Sequence, residues 1–543
     1  MADPALKGKL RGKLDICVIA FVVASLTYWL LFAVFLPVIA LGANNYNLAR
    51  LSYAETGGFF GNRTWSDARQ IVHPWAFDAI HLPFLKLGMG FGLPSFVCMI
   101  GCLFVAWRII SVEYDRSTAW CCVAALLALP PIVFQGTVTK NDFGVAFGVT
   151  CWFYAYWLHR REKLPKYAVF MAVGLGFAAG AKTTGLQLGF LLGVVTVVLL
   201  FPTRRSLLWF VLTMPLSLLL LGSIETYVLS DQIYGSCLGP DGLVRGLRNN
   251  QGVPGMVANY LRYGVGTLSP FPTHRLSIDY ILLSWCRSLL RGVKLAEAGF
   301  AVGWNDATFS WPRRGRGFLS YGILGGAAWL FASSRCLFVR QRNGVWWLAI
   351  CGILILLNFC YSLGWTPLNY RYLLVPFGLM TLSMVLSITQ PGRALLLRKA
   401  VLFGVIVFAT FTGISSTHAF NRLPGILRNR ETLLFTGYPM VMESLRGLRD
   451  SHQQYGFSEV GFVAGERSFT LPFFLLGKPR LLPLPASLFQ QSAPASRRTL
   501  PEYIFLINTT LDKSWLQYLT KLQEYPTENS ALYRSNDAAP NPK

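Results

Sequence analysis

The sequence from Lys166 to Leu200 reads KYAVFMAVGLGFAAGAKTTGLQLGFLLGVVTVVLL. Between its two ends the only charged residue is Lys182. The sequence Lys182-Thr183-Thr184-Gly185 divides the stretch into apolar runs over residues 167–181 and 185–201, near or somewhat below the ~20 residues that cross a bilayer. The runs predict either two membrane-spanning helices or one broken hairpin. Both interpretations place Lys182 at one face of the membrane.

The composition extends this prediction to most of the chain. Of the 543 residues, 53% are hydrophobic and only 14% are charged, a balance typical of a protein whose solvent is lipid. The net charge of +24 lies largely in short basic clusters between apolar runs, which argues against a nucleic-acid partner. The 11 Cys residues show neither zinc-site nor disulfide spacing and are interpreted as packing residues.

The apolar runs predict an all-α polytopic membrane protein with about 11 transmembrane helices, interfacial helices and a small C-terminal extracytoplasmic α/β domain. The first run is too long for a signal-peptide core and is expected to remain as an anchor. The predicted membrane domain covers residues 1–417, and the C-terminal domain covers residues 418–543. The predicted spans are residues 14–40, 91–112, 119–135, 143–158, 167–181, 185–201, 207–228, 317–333, 344–363, 371–388 and 400–417.

Basic clusters flank these spans, and Lys and Arg favour the cytoplasmic side. With every span counted, the clusters share one side, so the N-terminus is predicted to be cytoplasmic and the C-terminus outside. Three outer segments follow: a first loop at about residues 41–90, a long loop at about 229–316, and the C-terminal tail. Within the tail, the runs Val460–Val463 and Tyr503–Ile507 are predicted strands.

The long outer loop contains LSIDYILLSWCRSLLRGVKL at residues 276–295. Its apolar positions predict an interfacial amphipathic helix. Arg287, Arg291 and Lys294 fall toward one side of that helix. They form either a solvated basic surface or an anion site for a lipid phosphate.

Ionisable residues at the outer ends of spans are candidates for function, because each costs free energy there unless it is paired or used. Asp142 ends the sequence QGTVTKND at residues 135–142 and is either a helix N-cap or a functional carboxylate. Lys182 is either a cation that snorkels to the interface or a partner for a phosphate or a carboxylate. Arg371 opposes the dipole of the helix that it begins, which favours a phosphate-binding role over a structural one.

The first outer loop is too polar and too aromatic for a simple connector. Each of its ionisable residues, taken alone, fits an ordinary loop position better than a catalytic one. The candidates among them are Arg50, Glu55, Asp67, His73, Asp78 and His81. The six His residues of the whole chain show no spacing typical of a metal site.

The order and shared sidedness of four features resemble the GT-C glycosyltransferases. The features are the long first outer loop, Thr-Lys-Asn-Asp at residues 139–142, Gly-Ala-Lys-Thr-Thr at 180–184 and Pro-Leu-Asn-Tyr-Arg-Tyr at 367–372. The most similar branch contains protein O-mannosyltransferases, lipid A aminoarabinose transferases and lipopolysaccharide glycosyltransferases. The resemblance covers about residues 10–390. It implies a polyprenyl-phosphate-linked sugar donor, an inverting transfer to a hydroxyl of a lipid, glycan or protein, and a location in the bacterial inner membrane.

The resemblance also implies roles for individual residues. The catalytic carboxylates would be chosen from Asp142, Asp78, Glu55 and Asp67. The ligands of the donor phosphate would be Lys182, Arg371 and Arg50. The substrate-binding residues would be Tyr46, His73, Lys140, Asn369 and Tyr370. Gly42 stands where the family carries an acidic residue, so the principal base lies elsewhere in the chain or the transferase activity has been lost.

Two other classes of function remain open. A transporter, flippase or polymerase-like protein for lipid-linked saccharides predicts charged residues near the bilayer midplane and an internal repeat. The sequence shows no repeat, and only Glu225 approaches such a position. A noncatalytic membrane assembly factor predicts no convergent cluster of carboxylates and cations. The sequence names no cofactor and leaves a divalent metal open.

Overall fold

The computed structural model describes residues 4–35, 74–86, 90, 92–138, 140–268, 277–301, 321–338, 344–392, 394–416, 439–464, 479–484, 489, 500–507, 511–525 and 530–536. Among these described residues the first nine helices, in chain order, are α1 (Pro4–Phe35), α2 (Ala76–Lys86), α3 (Leu93–Glu113), α4 (Arg116–Leu127), α5 (Pro130–Gln135), α6 (Asp142–Glu162), α7 (Lys166–Ala181), α8 (Thr183–Leu200) and α9 (Arg204–Leu221). The next nine are α10 (Ile224–Tyr234), α11 (Asp241–Leu247), α12 (Gly252–Gly266), α13 (Ser277–Gly292), α14 (Gly322–Phe338), α15 (Gly344–Ser362), α16 (Leu374–Ile388), α17 (Leu395–Ser416) and α18 (Pro439–Tyr455). A 3-10 helix, η1 (Pro367–Leu373), precedes α16.

Seven stretches of helix among the described residues are long and apolar enough to cross a membrane. They are Gly12–Phe35, Leu93–Glu113, Thr183–Leu200, Arg204–Leu221, Gly344–Ser362, Asn369–Ile388 and Leu395–Thr412. Three shorter helices, α4, α7 and α14, are also apolar. The chain is therefore an integral membrane protein with a mainly helical fold, as predicted. The count of 11 spans stays a prediction.

Small residues allow α6, α7 and α9 to pack closely. A Cβ added to Gly148 in α6 would lie 2.6 Å from the carbonyl oxygen of Gly174 in α7. On the other side of α7, a Cβ added to Gly180 would overlap the carbonyl oxygen of Leu221 in α9. Larger residues would separate these helices. The close packing therefore holds the end of α7, where Lys182 follows, against the neighbouring helices.

The break predicted at Lys182 is confirmed, since this residue has an extended backbone (φ −166°, ψ 154°) between α7 and α8. Two other spans predicted as continuous are interrupted, and those predictions are wrong. Between residues 119 and 135, α4 ends at Leu127 and α5 begins at Pro130, because Pro lacks the N–H that a continuing helix needs. Between residues 207 and 228, α9 ends at Leu221, and Ser223 takes a left-handed conformation (φ 52°) before α10 begins.

The C-terminal residues form a small α/β unit around one sheet. Its strands are β1 (Glu459–Ala464), β2 (Arg480–Pro483), β3 (Tyr503–Ile507), β4 (Leu519–Tyr525) and β5 (Ser530–Ser535), in the spatial order β2-β1-β3-β5-β4. The β1 strand pairs in parallel with β2 and β3, while β5 is antiparallel to both β3 and β4. Val463, Ile504 and Trp515 belong to its buried core. The predicted C-terminal α/β fold is confirmed, and both predicted strands lie within β1 and β3.

The helix predicted at residues 276–295 is confirmed as α13. Cys286 and Leu290 are buried, whereas Ile281, Trp285 and Leu289 are exposed at four-residue intervals. An exposed apolar row beside a buried one is the pattern of a helix that lies along the membrane surface and packs sideways on the protein. The helix therefore suits the interfacial role that the sequence indicates.

Candidate active site

Three segments meet at the ends of α6 and α7 and carry the polar side chains of the candidate site. Asp142 is the first residue of α6, Lys182 lies between α7 and α8, and Arg371 lies in η1. The side-chain amide of Asn141 donates to the carbonyl oxygen of Ala181 at 2.9 Å. This hydrogen bond holds the residue before Asp142 next to the residue before Lys182.

The centre of the site is a buried ion pair. Lys182 Nζ donates to Asp142 Oδ1 at 2.6 Å, and the two side chains are 7% and 2% exposed. Lys182 therefore pairs with a carboxylate rather than snorkelling to the interface. The interpretation of Asp142 as the N-cap is wrong, since Asn141 holds that position. A buried pair of this kind needs further polar contacts to offset the cost of desolvation.

Tyr372 connects this ion pair to Arg371. The ammonium of Lys182 lies 4.2 Å from the centroid of the Tyr372 ring. Arg371 Nη2 donates to the Tyr372 hydroxyl at 2.6 Å, and the guanidinium carbon lies 4.8 Å from the same centroid. One aromatic ring therefore contacts two cations, and cation–π attraction is strongest in desolvated places such as this one.

Lys140 adds a third basic side chain to the site. Burial, together with the positive charges of Arg371 and Lys182, lowers the pKa of Lys140 well below its usual range, while Asp142 acts in the opposite direction. In the part of the chain that the structure describes, the Asp142 carboxylate thus faces several basic side chains. An incoming anion would relieve the repulsion among them, so the site is suited to bind negative charge.

The second carboxylate oxygen of Asp142, Oδ2, takes no part in the ion pair with Lys182. Its Oδ2 is buried and has no hydrogen-bond partner in the part of the chain that the structure describes. A buried oxygen that accepts no hydrogen bond costs on the order of 1–3 kcal/mol. This geometry leaves Oδ2 able to accept a proton or a hydrogen bond from a ligand.

An apolar cavity of about 180 Å³ opens between α3, α6 and α16. Phe143, which follows Asp142, lines it, as do Leu374 and Val375, which follow η1. The remaining lining is almost entirely apolar, with Thr150 as a polar exception. The cavity is therefore a hydrocarbon-lined space whose walls include residues next in sequence to Asp142 and to η1.

Helix α2 brings part of the first outer loop against the same helices. Asp78 and His81 are both fully buried on it. Next to Asp78, the ring of Phe77 packs so closely that a Cβ added to Gly144 would lie 2.7 Å from it and 2.9 Å from the Cβ of Ala181. Phe77 therefore touches the first turn of α6, which begins at Asp142, and its ring also meets that of Phe177 in α7, with the ring centroids 6.2 Å apart.

The start of α2 is anchored at the turn between α9 and α10. The indole of Trp75 donates to the carboxylate of Glu225, and the backbone N–H of Ala76 donates to Ser223 Oγ at 3.1 Å. Glu225 lies in α10, beyond the end of the α9 span at Leu221. Glu225, the residue whose position suggested a transporter, therefore lies outside the α9 span and anchors the start of α2.

Arg262 ties the outer segments to η1. Its fully buried guanidinium donates to the carbonyl oxygens of Ala296, at 2.6 Å, and Ala298, just beyond α13. It also stacks 3.8 Å from the centroid of Phe300. The carbonyl oxygen of Arg262 accepts from the Tyr370 hydroxyl at 3.2 Å. One side chain thus holds the segment after α13, and its backbone holds the 3-10 helix that carries Arg371.

The side chains of Asn369 and Tyr370, both predicted to contact substrate, donate hydrogen bonds to backbone carbonyl oxygens. The Asn369 amide donates to the carbonyl oxygen of Gly364 at 2.8 Å, and Tyr370 bonds to Arg262 as above. Direct contact of either residue with a substrate stays a prediction. The predicted site residues that lie outside the described residues are Tyr46, Arg50, Glu55, Asp67 and His73.

Sequence reasoning missed three residues of this region: Tyr372, Arg262 and Gln135. Tyr372 belongs to the motif at residues 367–372, but the sequence predicted no role for it. Arg262 carried a signal, since a lone Arg in the apolar segment NYLRYGVG needs a buried partner. Among the described residues, no group of three or more His, Cys, Asp or Glu side chains is placed to hold a metal ion.

Comparison with solved structures finds chains of similar fold. The crystal structure of ArnT from Cupriavidus metallidurans bound to undecaprenyl phosphate aligns with 97% of this chain and 99% of its own, with a TM-score of 0.51 and 13% sequence identity. The chain has the ArnT fold. The apo structure of the same protein covers 95% of this chain and 97% of its own, with 12% identity and a TM-score of 0.49. The first of these two structures confirms the expected resemblance to GT-C glycosyltransferases at the level of the fold alone.

No protein-family model matches the sequence, and no curated protein matches it. The ArnT fold therefore rests on three-dimensional similarity over nearly the whole chain.

Proposed function

We propose that this chain is a membrane glycosyltransferase that moves a sugar from a polyprenyl-phosphate-linked donor to a hydroxyl of a lipid, glycan or protein. One observation carries the proposal. Asp142 has one oxygen paired with Lys182 and the other without a partner among the described residues, it lies among basic side chains, and the next residue, Phe143, lines an apolar cavity. A carboxylate for the proton, cations for the phosphate and an apolar space for the prenyl chain are the parts that this reaction needs. The ArnT fold supports the proposal, because that protein's structure contains undecaprenyl phosphate.

In the proposed reaction the acceptor oxygen attacks the anomeric carbon of the sugar, while the bond from that carbon to the phosphate oxygen breaks. The configuration at the carbon inverts. The electron pair of the broken bond leaves with the phosphate, and the hydroxyl proton passes to Asp142 Oδ2. Arg371 and Lys140 are near enough to interact electrostatically with Asp142, so they can stabilise the charge that grows on the leaving phosphate.

Lys182 has two partners in this scheme. In the absence of donor its ammonium is held by Asp142. A donor phosphate competes for that ammonium and weakens its hold on the carboxylate, so Asp142 becomes a better acceptor when the donor arrives. The pair thereby couples donor binding to the readiness of the base.

We also propose that the site faces away from the cytoplasm of a bacterial inner membrane, with the N-terminus inside and the C-terminal domain outside. Cys237 offers a test, because it is exposed in the proposed outer loop. A membrane-impermeant maleimide added to intact spheroplasts should label the wild-type chain at Cys237, and Cys237→Ser should lose that label. Labelling of Cys237 only after the membrane is broken would reverse the proposed orientation.

The function itself is tested with purified full-length protein and a panel of undecaprenyl phosphates carrying glucose, mannose, galacturonic acid or aminoarabinose. Each donor is mixed with envelope lipids and glycans, and released undecaprenyl phosphate is measured by mass spectrometry. The proposal expects release from at least one donor that depends on an added acceptor. Binding of these lipids without any release would favour a transporter, and absence of binding would favour an assembly factor.

A further inference from the structure

Gln135 is a fully buried residue whose side chain makes no hydrogen bond within the described part of the protein. It ends the short helix α5 and is 0% exposed. Neither its Oε1 nor its Nε2 has a hydrogen-bond partner in the described part of the chain. Most buried polar side chains in proteins are hydrogen-bonded, so two unpaired atoms on one carboxamide call for an explanation.

The position of Gln135 relates it to the candidate site. It lies three residues after Ile132, which lines the apolar cavity, and residues at this spacing share one face of a helix. Helix α5 packs against η1, which carries Arg371. The chain then turns directly from Gln135 to Lys140 and Asp142. Gln135 therefore lies on the short segment that leads from the cavity-lining Ile132 to the charged residues Lys140 and Asp142. A lipid-linked donor with its phosphate at the charged residues would bring its sugar close to this segment.

The donor and acceptor atoms of a carboxamide restrict the ligand groups that Gln135 can recognise. Its Nε2 donates and its Oε1 accepts, so a carboxamide is fully satisfied by a group that does both. A hydroxyl does both, whereas a phosphate only accepts and an ammonium only donates. The cations of the site already suit the phosphate. The unpaired carboxamide is thus the complement of a sugar hydroxyl.

We propose that Gln135 is a sugar-binding residue that recognises a hydroxyl group of the donor. This inference rests on the proposed function and deepens it by assigning a residue to the sugar rather than to the phosphate or the lipid. It also makes a separate claim about the ligand-free protein. A carboxamide kept for a ligand destabilises the empty fold, whereas a carboxamide with a structural role stabilises it.

The test uses Gln135→Met, which keeps the length of the side chain and removes its polar atoms. The matched control is Gln187→Met, because Gln187 donates to Ser362 Oγ and so has a structural hydrogen bond. Both variants and the wild type are purified as full-length protein. Thermal unfolding is followed without ligand, and binding of undecaprenyl phosphate and of the sugar-bearing panel is measured by native mass spectrometry.

We expect Gln135→Met to raise the midpoint of unfolding and Gln187→Met to lower it. Gln135→Met should bind undecaprenyl phosphate as the wild type does but bind the preferred sugar-bearing lipid roughly 10-fold more weakly, the loss expected for one or two hydrogen bonds. A lower midpoint for Gln135→Met, or an unchanged preference for the sugar-bearing lipid, would overturn the inference. A wild-type protein that binds neither lipid would refute the proposed function itself, and the inference with it.

Discussion

Replacing Lys182 by Met removes the cation from the buried pair with Asp142. The carboxylate then either stays charged without its partner, at a cost of about 3–5 kcal/mol, or takes up a proton. With an ordinary aspartate pKa of about 3.9, protonation at pH 7 costs about 4 kcal/mol. Because the protein adopts whichever of these two states costs less, about 4 kcal/mol is the upper limit of the loss. The positive charges of Lys140 and Arg371 reduce the cost of keeping the carboxylate charged. We expect a loss of about 2–4 kcal/mol at pH 7.

The assay is thermal unfolding of the full-length protein in detergent, followed by size-exclusion chromatography. Lys182→Met should melt several degrees below the wild type, and the added change Asp142→Asn should recover much of the loss because no charge is then left unpaired. The deficit of the single variant should also shrink from pH 7 to pH 5, because protonation becomes about 1.4 kcal/mol cheaper with each pH unit. The control is Arg245→Met, which breaks an exposed pair with Asp241 and should change little. A deficit that is the same at both pH values, or a double variant no more stable than Lys182→Met, would refute this reasoning.

Arg371→Lys keeps the charge but loses the planar fork, so undecaprenyl phosphate should bind roughly 10-fold more weakly in native mass spectrometry; equal binding would remove Arg371 from the phosphate site. Burial lowers the pKa of His81 to about 4, below its ordinary value of about 6.5. The unfolded chain therefore binds more protons, so stability falls by about 1.4 kcal/mol per unit as the pH drops from about 6.5 toward 4. His81→Phe should flatten that part of the plot of unfolding midpoint against pH, and an unchanged slope would contradict the prediction. Arg262→Met should lower both the unfolding midpoint and the affinity for undecaprenyl phosphate, because loss of the side-chain bonds to Ala296 and Ala298 lets α12 shift, and the backbone of α12 accepts from Tyr370 in η1. Normal affinity in a folded Arg262→Met protein would show that this clamp does not position Arg371.

Local patterns in the sequence predicted much of this architecture. The apolar runs predicted the membrane helices, and Lys182 marked the break between α7 and α8. The two interrupted spans had visible signals as well, in Pro130-Pro131 and Gly222-Ser223, which the hydrophobic runs around them outweighed.

The candidate site was predictable in part. Asp142, Lys182 and Arg371 stood out because a charged residue at the end of an apolar run needs a reason to be there. The direct pairing of Asp142 with Lys182, the contact of Lys182 and Arg371 with one tyrosine ring, and the packing of α5 against η1 all depend on segments that are far apart in the chain. No local periodicity encodes such contacts, so only the folded structure brings them together.

The most direct test of the proposed function is donor turnover by Asp142→Asn, with Asp241→Asn as a matched change at an exposed carboxylate. Release of undecaprenyl phosphate from the preferred donor is measured in single-turnover reactions with acceptor present. The amide cannot take up the acceptor proton, so Asp142→Asn should lower the rate by about 100-fold or more while still binding donor. Asp241→Asn should react at the wild-type rate. Turnover by Asp142→Asn at the wild-type rate would show that Asp142 is not the base and would contradict the account of this site.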